Sequence, residues 1–493
     1  MTRPLRVLHI ASECAPFAKT GGLGDVVGAL PKYQRDAGID ARVVLPLYRG
    51  IDWAAQARLP FTLTVPVGGG AAFGAAREGR LPGSDAPVYF LEHHHYYDRD
   101  GIYGDARGDF GDNVARFTFL CRGAFALARA LGFSPDVVHA HDWQAALAPV
   151  FVDTTEWGTE LHGAATVLTI HNMGYQGQFH ADALRSTGLG WEHYNGRELE
   201  HYGALNLLKG GVLRATRVTT VSPTYAREIQ TPEHGAGLDG VVRSRGRDVV
   251  GILNGIDAGV WDPATDRHIA ARYTAEDLSG KWECKRALQR EAGLPERPDV
   301  PLFGVVTRLT DQKGIDVLAS VLPALLDWEV QLVVLGSGDP SIERSLATAA
   351  HFRRDKMAAF LRFDDGLAHR IEAGSDFFVM PSRYEPCGMN QLYSLRYGTL
   401  PIVHATGGLA DTVWPYDDST GIGTGFAFRP LGPRSLLDTL GHATWAFYNR
   451  RHDVEAMRRR AMAQPFGWDR SAAEYRELYL DAYAARRGHG FSG

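Results

Sequence analysis

Short, continuous apolar runs alternate with longer amphipathic stretches along nearly the whole chain. An apolar run without internal alternation suits a strand that is buried on both faces of a parallel sheet. The stretches between these runs, such as 113–131 and 316–327, have helical periodicity. Alternating strands and helices predict an α/β architecture with right-handed crossovers. The predicted strands are 7–11, 41–45, 137–140, 166–170, 218–221, 249–253, 303–306, 331–335, 358–363, 377–380 and 400–403.

The strand-and-helix pattern occurs twice, which predicts two doubly wound, Rossmann-like domains. The chain has 493 residues, more than one hydrophobic core usually serves. A turn at 254–257 and a break at 465–467 are the candidate junctions. We expect an N-terminal domain over 1–256, a second domain over 257–465, and a C-terminal segment over 466–493 that contains a helix at 470–487.

Composition and charge narrow the class of protein. Apolar residues make up 45% of the chain, too many for general disorder, and a net charge of −5 predicts no nucleic-acid partner. No stretch approaches the roughly 20 apolar residues that span a bilayer, and the first apolar run is too short for a signal peptide. The four cysteines lie far apart and form no C-x-x-C pair. We therefore expect no membrane partner and a reducing, cytoplasmic location.

The loop Lys19-Thr20-Gly21-Gly22-Leu23-Gly24-Asp25 follows the first predicted strand and precedes a helix expected near Val26. Ligands of such folds bind at the carboxyl ends of strands. Glycines let backbone N–H groups approach an anion, and Lys19 adds a positive charge. The loop matches neither the Walker A nor the G-x-G-x-x-G pattern. It is either a phosphate loop or a plain tight turn.

Two histidine-containing loops also follow strands in the first half: His139-Ala140-His141-Asp142-Trp143 and His171-Asn172-Met173-Gly174-Tyr175-Gln176-Gly177. In the first loop, two histidines and an aspartate could ligate a metal, but no further ligand cluster accompanies them, so a polar strand end is favoured. His171 could serve as a base, a substrate contact or a structural group.

Three loops in the second half extend the pattern. In 308–314, the cations Arg308 and Lys313 could flank a diphosphate. In 382–391, Glu385 stands where a carboxylate can address sugar hydroxyls, close to N–H groups at the start of a helix expected near Asn390. Cys387 could be a nucleophile, but no base is specified beside it. The third loop, Thr406-Gly407-Gly408-Leu409-Ala410-Asp411-Thr412, is a glycine turn before a helix.

Two further patterns suggest metal binding, and both are discounted. The pair Asp98 and Asp100 could hold a metal on a diphosphate, but it does not follow a buried strand. The run His93-His94-His95 is favoured as a solvated stretch. We expect no metal and no cofactor.

Taken together, the six loops resemble those of bacterial glycogen synthases and plant starch synthases, over residues 7 to about 479. The resemblance implies a GT-B fold, with two Rossmann-like domains facing across a cleft and a C-terminal helix that returns to the first domain. It implies a metal-independent retaining glucosyltransferase that uses ADP-glucose and an α-1,4-glucan as its partners. The sequence leaves the oligomeric state, and ADP against UDP in the donor, undecided.

The resemblance also assigns roles to residues. It places Lys19 near the donor phosphates and glucose, Arg308 and Lys313 on the distal phosphate, Glu385 on the donor glucose, and His171 beside the anomeric carbon. Phe363 stands where relatives often have a tyrosine that stacks on adenine, and Gln144 where many have histidine. The remaining assignments are donor contacts from Gly22, Asn254, Gly388, Met389, Asn390, Gly407 and Gly408, and sugar or acceptor contacts from Tyr97 and Asp142.

Charge development during transfer predicts the mechanism. Breaking the bond between glucose and phosphate leaves negative charge on ADP, which Lys19, Arg308 and Lys313 would stabilise. A double displacement would need a carboxylate beneath the sugar ring, and no second acid is placed for it. Front-face attack is therefore favoured. The alternatives to a synthase are a nucleotide-sugar epimerase, a phosphorylase, for which the chain is too short, and a glucan-binding scaffold without activity.

Overall fold

The structure, a computed structural model, describes residues 3–488 and consists of two compact units. Unit 1 runs to Gly255 and resumes at Trp468, while unit 2 comprises Ile256–Gly467. The chain therefore passes between the units twice, at Gly255–Ile256 and at Gly467–Trp468.

Unit 1 is built on a ten-stranded sheet with the order β15-β14-β10-β9-β1-β2-β6-β5-β3, in which β4 pairs with β5. All pairs from β15 to β6 are parallel, and only the β3, β4 and β5 edge is antiparallel. The strands of this unit are β1 (Arg6–Ile10), β2 (Asp40–Pro46), β3 (Ala57–Arg58), β4 (Leu63–Val67), β5 (Gly70–Arg80), β6 (Pro87–Glu92), β7 (Gly104–Asp105), β8 (Gly108–Asp109), β9 (Val137–His141), β10 (Ala165–Ile170), β11 (Gln178–His180), β12 (Glu200–His201), β13 (Ala204–Asn206), β14 (Arg217–Thr220) and β15 (Val249–Gly251).

Helices cover both faces of this sheet, as the continuous burial of its central strands requires. Strands β9 and β10 have no exposed residue. The helices are α1 (Gly22–Asp36), α2 (His94–Tyr97), α3 (Asn113–Ala130), α4 (Asp142–Ala145), α5 (Leu147–Asp153), α6 (Leu207–Arg214), α7 (Pro223–Glu228) and α8 (Asp239–Ser244).

Unit 2 has a six-stranded, all-parallel sheet with the order β18-β17-β16-β19-β20-β21. Its strands are β16 (Leu302–Val306), β17 (Gln331–Leu335), β18 (Met357–Phe360), β19 (Phe377–Met380), β20 (Leu400–His404) and β21 (Phe426–Phe428). Its helices are α9 (Ser279–Glu291), α10 (Ile315–Leu325), α11 (Pro340–Phe352), α12 (Asp365–Gly374), α13 (Asn390–Arg396), α14 (Gly407–Thr412), α15 (Pro433–Asn449) and α16 (Arg451–Met462).

The last helix, α17 (Trp468–Gly488), belongs to unit 1. It buries Trp468, Tyr475 and Tyr479 in a cluster with residues of β1, β2, β9 and β10. The Ser471 hydroxyl also donates to the Leu253 carbonyl at 2.6 Å. The chain thus returns to its first unit after completing the second.

The predicted α/β fold with two parallel sheets is confirmed, and each of the eleven predicted strands overlaps an observed one. The sequence reading missed β6, the β4–β5 hairpin, β21 at the edge of the unit 2 sheet, and the short strands β3, β7, β8, β11, β12 and β13. It also placed the start of the first helix too late, because α1 begins at Gly22 rather than near Val26. Among the described residues, no helix is both long and apolar enough to cross a membrane.

Candidate functional site

Each unit has a point where the strand order reverses. Four of the six loops singled out from the sequence lie at the strands that flank these points, and the loops 171–177 and 406–412 follow the adjacent strands β10 and β20. In unit 1 the reversal lies between β1 and β9, and in unit 2 between β16 and β19. A crevice opens at such a point outside the carboxyl ends of the strands, where ligands of open α/β sheets bind. Strand order thus brings loops that are distant in sequence to one edge within each unit.

In unit 2, an ion pair joins the loop after β16 to the loop after β19. The Lys313 Nζ lies 2.6 Å from Glu385 Oε2, and the Ser382 hydroxyl donates to the same oxygen at 3.0 Å. The Glu385 side chain is only 7% exposed. A carboxylate this buried needs partners, and Lys313 and Ser382 supply them while fixing its orientation.

The loop that carries Lys313 is itself held against the loop after β19. Gly314 has a φ of +65°, and a Cβ there would collide with the Pro381 carbonyl oxygen, so glycine is required. The Arg383 guanidinium binds both carboxylate oxygens of Asp316, at 2.8 and 2.7 Å, and donates to the Asp311 carbonyl at 2.7 Å. Sequence reasoning assigned no role to Arg383, although it lies inside the Glu385 loop.

Arg308 stands at the edge of a cavity of about 170 Å³ next to this ion pair. Its side chain is exposed and has no partner among the described residues. An unpaired guanidinium is well suited to bind a phosphate. The cavity brings together six of the residues expected to act on the donor: Arg308, Lys313, Glu385, Gly388, Met389 and Asn390.

Gly407 and Gly408, expected to contact the donor, lie directly beneath the Glu385 loop. Gly407 has a φ of +47°, and a Cβ there would collide with the Glu385 carbonyl oxygen. The Gly408 N–H donates to the carbonyls of Glu385 and Pro386, both at 3.2 Å. Close backbone packing therefore accounts for both glycines, which support the loop that carries Glu385.

Phe363 and Cys387 differ sharply in their exposure. The Phe363 ring is 88% exposed on the segment between β18 and α12, so its face is open for stacking, but it does not line the cavity. Cys387 is buried, with 4% exposure. None of the four cysteines forms a disulfide.

In unit 1, the loop after β1 is organised by Glu13, which sequence reasoning did not single out. Its carboxylate accepts hydrogen bonds from the N–H groups of Thr20 and Gly21, at 2.6 and 3.2 Å, and from the Tyr103 hydroxyl at 2.5 Å. The expected phosphate cradle therefore lacks two of its N–H groups, because a carboxylate of the chain already uses them. Lys19 pairs with Asp25 at 2.6 Å and is half exposed, and Gly22 begins α1 with open space beside it.

His171 and Asp142 lie in direct contact. The Asp142 carboxylate accepts a hydrogen bond from the backbone N–H of His171 at 2.7 Å, and burial raises the pKa of Asp142 to about 7. Asp142 also has a φ of +55°, which is strained for a residue with a Cβ and is common at functional sites. Asp142 thus holds the backbone on which His171 stands.

Two other expected contacts in unit 1 have different outcomes. Tyr97 is fully buried, and its hydroxyl donates to the Arg116 carbonyl at 2.8 Å. The expectation that it touches a sugar or acceptor is corrected, because packing against Arg116 places it in the core. Asn254 is 5% exposed, and its side-chain oxygen has no partner among the described residues. The Gln144 side-chain oxygen is likewise unpaired there.

The motifs discounted as metal sites have other partners. Asp98 and Asp100 both bind the guanidinium of Arg49, at 2.8 Å each. His93 caps α2, and the side chains of His94 and His95 are 81% and 75% exposed.

Two other clusters have metal-ligand chemistry within 4.8 Å: His9, His139 and His141, and His268, Asp365 and His369. Sequence reasoning weighed His139 and His141 as ligands but not His9, and it missed the second cluster. All six ring nitrogens of the first cluster already have hydrogen-bond partners. In the second, His369 Nδ1 bonds Asp266 at 2.7 Å.

Two family models match the chain, one in each unit. The starch synthase catalytic domain matches residues 6–244, and glycosyl transferases group 1 matches residues 289–440. Glycogen synthase 1 of Geobacter sulfurreducens is 52% identical over 99% of this chain and 98% of the relative. A glycogen synthase of Anaeromyxobacter sp. (strain Fw109-5) is 50% identical over 96% of this chain and 99% of the relative.

A solved structure supports the same relationship. The catalytic domain of starch synthase IV from Arabidopsis thaliana, bound to ADP and acarbose, matches with a TM-score of 0.89 and 34% identity, over 98% of this chain and all of that one. Fold and site thus define a retaining glycosyltransferase with two Rossmann-like domains. The chain belongs to the family of bacterial glycogen synthases and plant starch synthases. The family and the GT-B fold class predicted from the loops are confirmed.

Proposed function

We propose that this enzyme transfers glucose from ADP-glucose to the non-reducing end of an α-1,4-glucan with retention of configuration. The observation that carries the proposal is the Lys313–Glu385 pair beside the partnerless Arg308 at the strand-order reversal of unit 2. The nucleotide and glucan analogue named for the Arabidopsis structure agree with this choice of substrates.

The cations are assigned to the leaving group. When the bond between glucose and phosphate breaks, negative charge develops on the distal phosphate, and preorganised cations stabilise it without reorganising. Arg308 offers an unpaired guanidinium. The Lys313 ammonium has three donors, so it can bind a phosphate oxygen while it keeps its bond to Glu385.

Glu385 is assigned to the sugar. The Lys313 and Ser382 contacts both reach Oε2, so Oε1 remains to accept a sugar hydroxyl. The Gly407–Gly408 turn packs beneath the loop that carries Glu385 and supports its backbone. A rigid carboxylate beside the sugar also stabilises positive charge that develops at the anomeric carbon in the transition state.

His171 is assigned to hydrogen bonding rather than proton transfer. Burial lowers its pKa to about 3, so it stays neutral at physiological pH and is a very weak base. Front-face attack needs no protein base, because the departing phosphate takes the proton of the acceptor hydroxyl. Lys19, Gly22, Asn254, Phe363, Gly388, Met389 and Asn390 complete the proposed donor contacts.

We also propose where the enzyme acts and that it needs no metal. The four cysteines without disulfides agree with a reducing compartment, and we assign the enzyme to the cytoplasm. We assign catalysis to the chain's own side chains, without a metal.

A transfer assay tests the function. The purified protein is given glycogen with ADP-glucose or with UDP-glucose, and nucleotide release and glucan length are measured. We expect ADP release coupled to chain extension. Nucleotide release without extension, isomerisation of the donor sugar, or glucan binding without turnover would each contradict the proposal. The last two outcomes are those of an epimerase and of an inactive scaffold.

A further inference from the structure

Unit 1 contains a buried, hydrogen-bonded cluster of four histidine rings next to its strand-order reversal. His9 lies on β1, His139 and His141 on β9, and His171 directly after β10. Parallel pairing puts His9 opposite His139 and Thr169 opposite His141, so alternate residues bring the four rings to one face. His9, His139 and His141 have no exposed surface, and His171 is 8% exposed.

Three of these rings form a continuous path. His171 Nε2 lies 3.1 Å from His141 Nδ1, and His141 Nε2 lies 3.1 Å from His9 Nδ1. His9 Nε2 lies 2.8 Å from the side-chain oxygen of Gln34 on α1. Among the described residues, His171 Nδ1 is the only ring nitrogen of the four histidines without a hydrogen-bond partner.

The Gln34 amide sets the direction of every bond along this path. Its nitrogen donates to the Tyr479 hydroxyl of α17 at 2.9 Å, so its oxygen faces His9. An amide oxygen only accepts, so His9 carries its proton on Nε2. A neutral imidazole has one N–H, so His9 Nδ1 accepts from His141, and His141 Nδ1 in turn accepts from His171.

Burial keeps the rings neutral, which this path requires. It lowers the pKa of His9 to about 4 and of His171 to about 3, and holds those of His139 and His141 well below their usual value. The path therefore ends with the proton of His171 on Nε2 and a lone pair on Nδ1. Reversing the Gln34 amide would reverse all these bonds together.

We propose that His141, His9 and Gln34 are positioning residues that hold His171 in its Nε2–H tautomer and keep Nδ1 as a hydrogen-bond acceptor. Tyr479 extends this control to α17, so the returning helix sets the chemistry of a ring after β10. Naming a hydroxyl of the bound sugar as the partner of Nδ1 rests on the proposed function, but the tautomer itself does not.

A branch of the same network provides a matched control. The Tyr479 hydroxyl lies 2.7 Å from His139 Nδ1, and His139 Nε2 lies 2.6 Å from the Thr169 hydroxyl. His139 shares its strand and its burial with His141, but it lies off the path from Gln34 to His171. Its removal should cost stability without releasing the His171 tautomer.

Histidine ¹⁵N spectra of the full-length protein test the tautomer directly. At about neutral pH, His171, His141 and His9 should each show the Nε2–H form. An Nδ1–H form, a mixture, or a charged ring at His171 would overturn the proposal. Because this measurement needs no turnover, the tautomer and the proposed reaction can fail separately.

A pair of variants tests the consequence for catalysis. His141→Leu removes the acceptor for His171, whereas His141→Asn can return an oxygen near the position of Nδ1. We expect His141→Leu to lower kcat about 100-fold, the cost of a misplaced reacting group, with ADP affinity unchanged and a mixed tautomer at His171. His141→Asn should restore most of the rate, and His139→Leu should keep the tautomer.

Equal rates in the Leu and Asn variants would refute the positioning role. If His141→Leu does not fold, Tyr479→Phe decides the question, because it removes only the hydroxyl that orients Gln34. It should give a mixed tautomer at His171 and a severalfold lower kcat. A pure Nε2–H signal together with wild-type kcat in Tyr479→Phe would show that Gln34 and α17 do not fix the tautomer of His171.

Discussion

The two units have the same kind of parallel sheet but opposite chemistry at their strand-order reversals. Unit 1 presents neutral rings there, with His9, His141 and His171 joined by hydrogen bonds. Unit 2 presents ions there, the Lys313–Glu385 pair and Arg308. The fold therefore places a site at the reversal in each unit. The side chains there decide whether the site is ionic or is a network of directed hydrogen bonds.

Two buried clusters show the same contrast. In unit 2, Asp376 is buried between Lys285 and Arg458, at 2.7 and 2.6 Å, and these cations lower its pKa despite burial. Unit 1 instead buries four histidines whose pKa values burial lowers, so they stay neutral. A buried charge must be paired, whereas a buried imidazole can lose its proton.

The largest expected effect comes from Glu385→Gln in unit 2. Glutamine keeps the shape and the contacts to Ser382 and Lys313 but removes the charge that stabilises the transition state. We expect kcat to fall by about three orders of magnitude, with ADP affinity by calorimetry little changed. Glu291→Gln, which breaks the 2.7 Å pair with Arg370 away from the cavity, is the matched control.

Mass spectrometry with a slow donor sharpens the same test. A glucosyl adduct on Glu385 would replace front-face attack with a double displacement. A fully active Glu385→Gln enzyme would remove Glu385 from the mechanism altogether.

Arg308→Ala should lower kcat about 100-fold, the usual cost of losing one preorganised charge. Because the Arg308 side chain has no partner among the described residues, the melting temperature of the Arg308→Ala variant should equal that of the wild type. Arg344→Ala, at an exposed position on α11, controls for loss of surface charge. Wild-type turnover in Arg308→Ala would mean that this loop is only solvated.

Lys313→Ala should lower kcat at least as much as Arg308→Ala, but it should also cost about 2 kcal/mol of folding free energy, because it leaves a buried carboxylate without its cation. Denaturant unfolding measures this difference. Adding Glu385→Gln to Lys313→Ala should recover the lost stability, and a purely additive cycle would show that the ion pair contributes nothing.

Acid should weaken unit 1 before unit 2. Folded-state pKa values of about 4 and about 3 for His9 and His171 lie below the ordinary value of 6.5. The stability that these neutral rings contribute is therefore complete above pH 6.5 and is lost as the pH falls toward 4. Each such histidine contributes a slope of about 1.4 kcal/mol per pH unit.

Hydrogen exchange resolves the two units. Backbone amides of β1 and β9 should lose protection as the pH falls from 6.5 toward about 4, while those of β16 and β19 keep it. Burial raises the pKa of Glu372 in unit 2 well above its usual value, which has the opposite sign and favours folding as the pH falls. In unit 1 the raised pKa of Asp142, about 7, has this sign too, but it offsets only one of the four buried histidines. Simultaneous loss of protection in both units would contradict the prediction that acid destabilises unit 1 first.

The smallest expected effect is that of a chelator. The proposed chemistry uses Arg308, Lys313 and Glu385, so EDTA should leave transfer unchanged. The His268, Asp365 and His369 cluster makes this a real test, because it could hold an ion. Activity that is lost in EDTA and restored by magnesium or zinc would contradict metal-independent transfer.

Much of the fold and part of the candidate site could be predicted from the sequence. Continuous apolar runs located eleven strands, because burial on both faces leaves a local mark. The loops with Lys19, Arg308 and Glu385 identified the family, because their glycines and charges are contiguous in the chain. The β4–β5 hairpin was missed because neither strand is a continuous apolar run: β4 alternates buried and exposed residues, and only two of the 11 residues of β5 are buried.

Tertiary structure alone decided which of these groups meet. Lys313 and Glu385 are 72 residues apart, His9 and His141 are 132 apart, and His139 and Tyr479 are 340 apart. Tyr97 looked like a site residue and is a core residue, whereas Glu13 looked incidental and organises a loop. The physical reason is that strand order and register set these meetings, and both depend on packing between distant segments that no local pattern records.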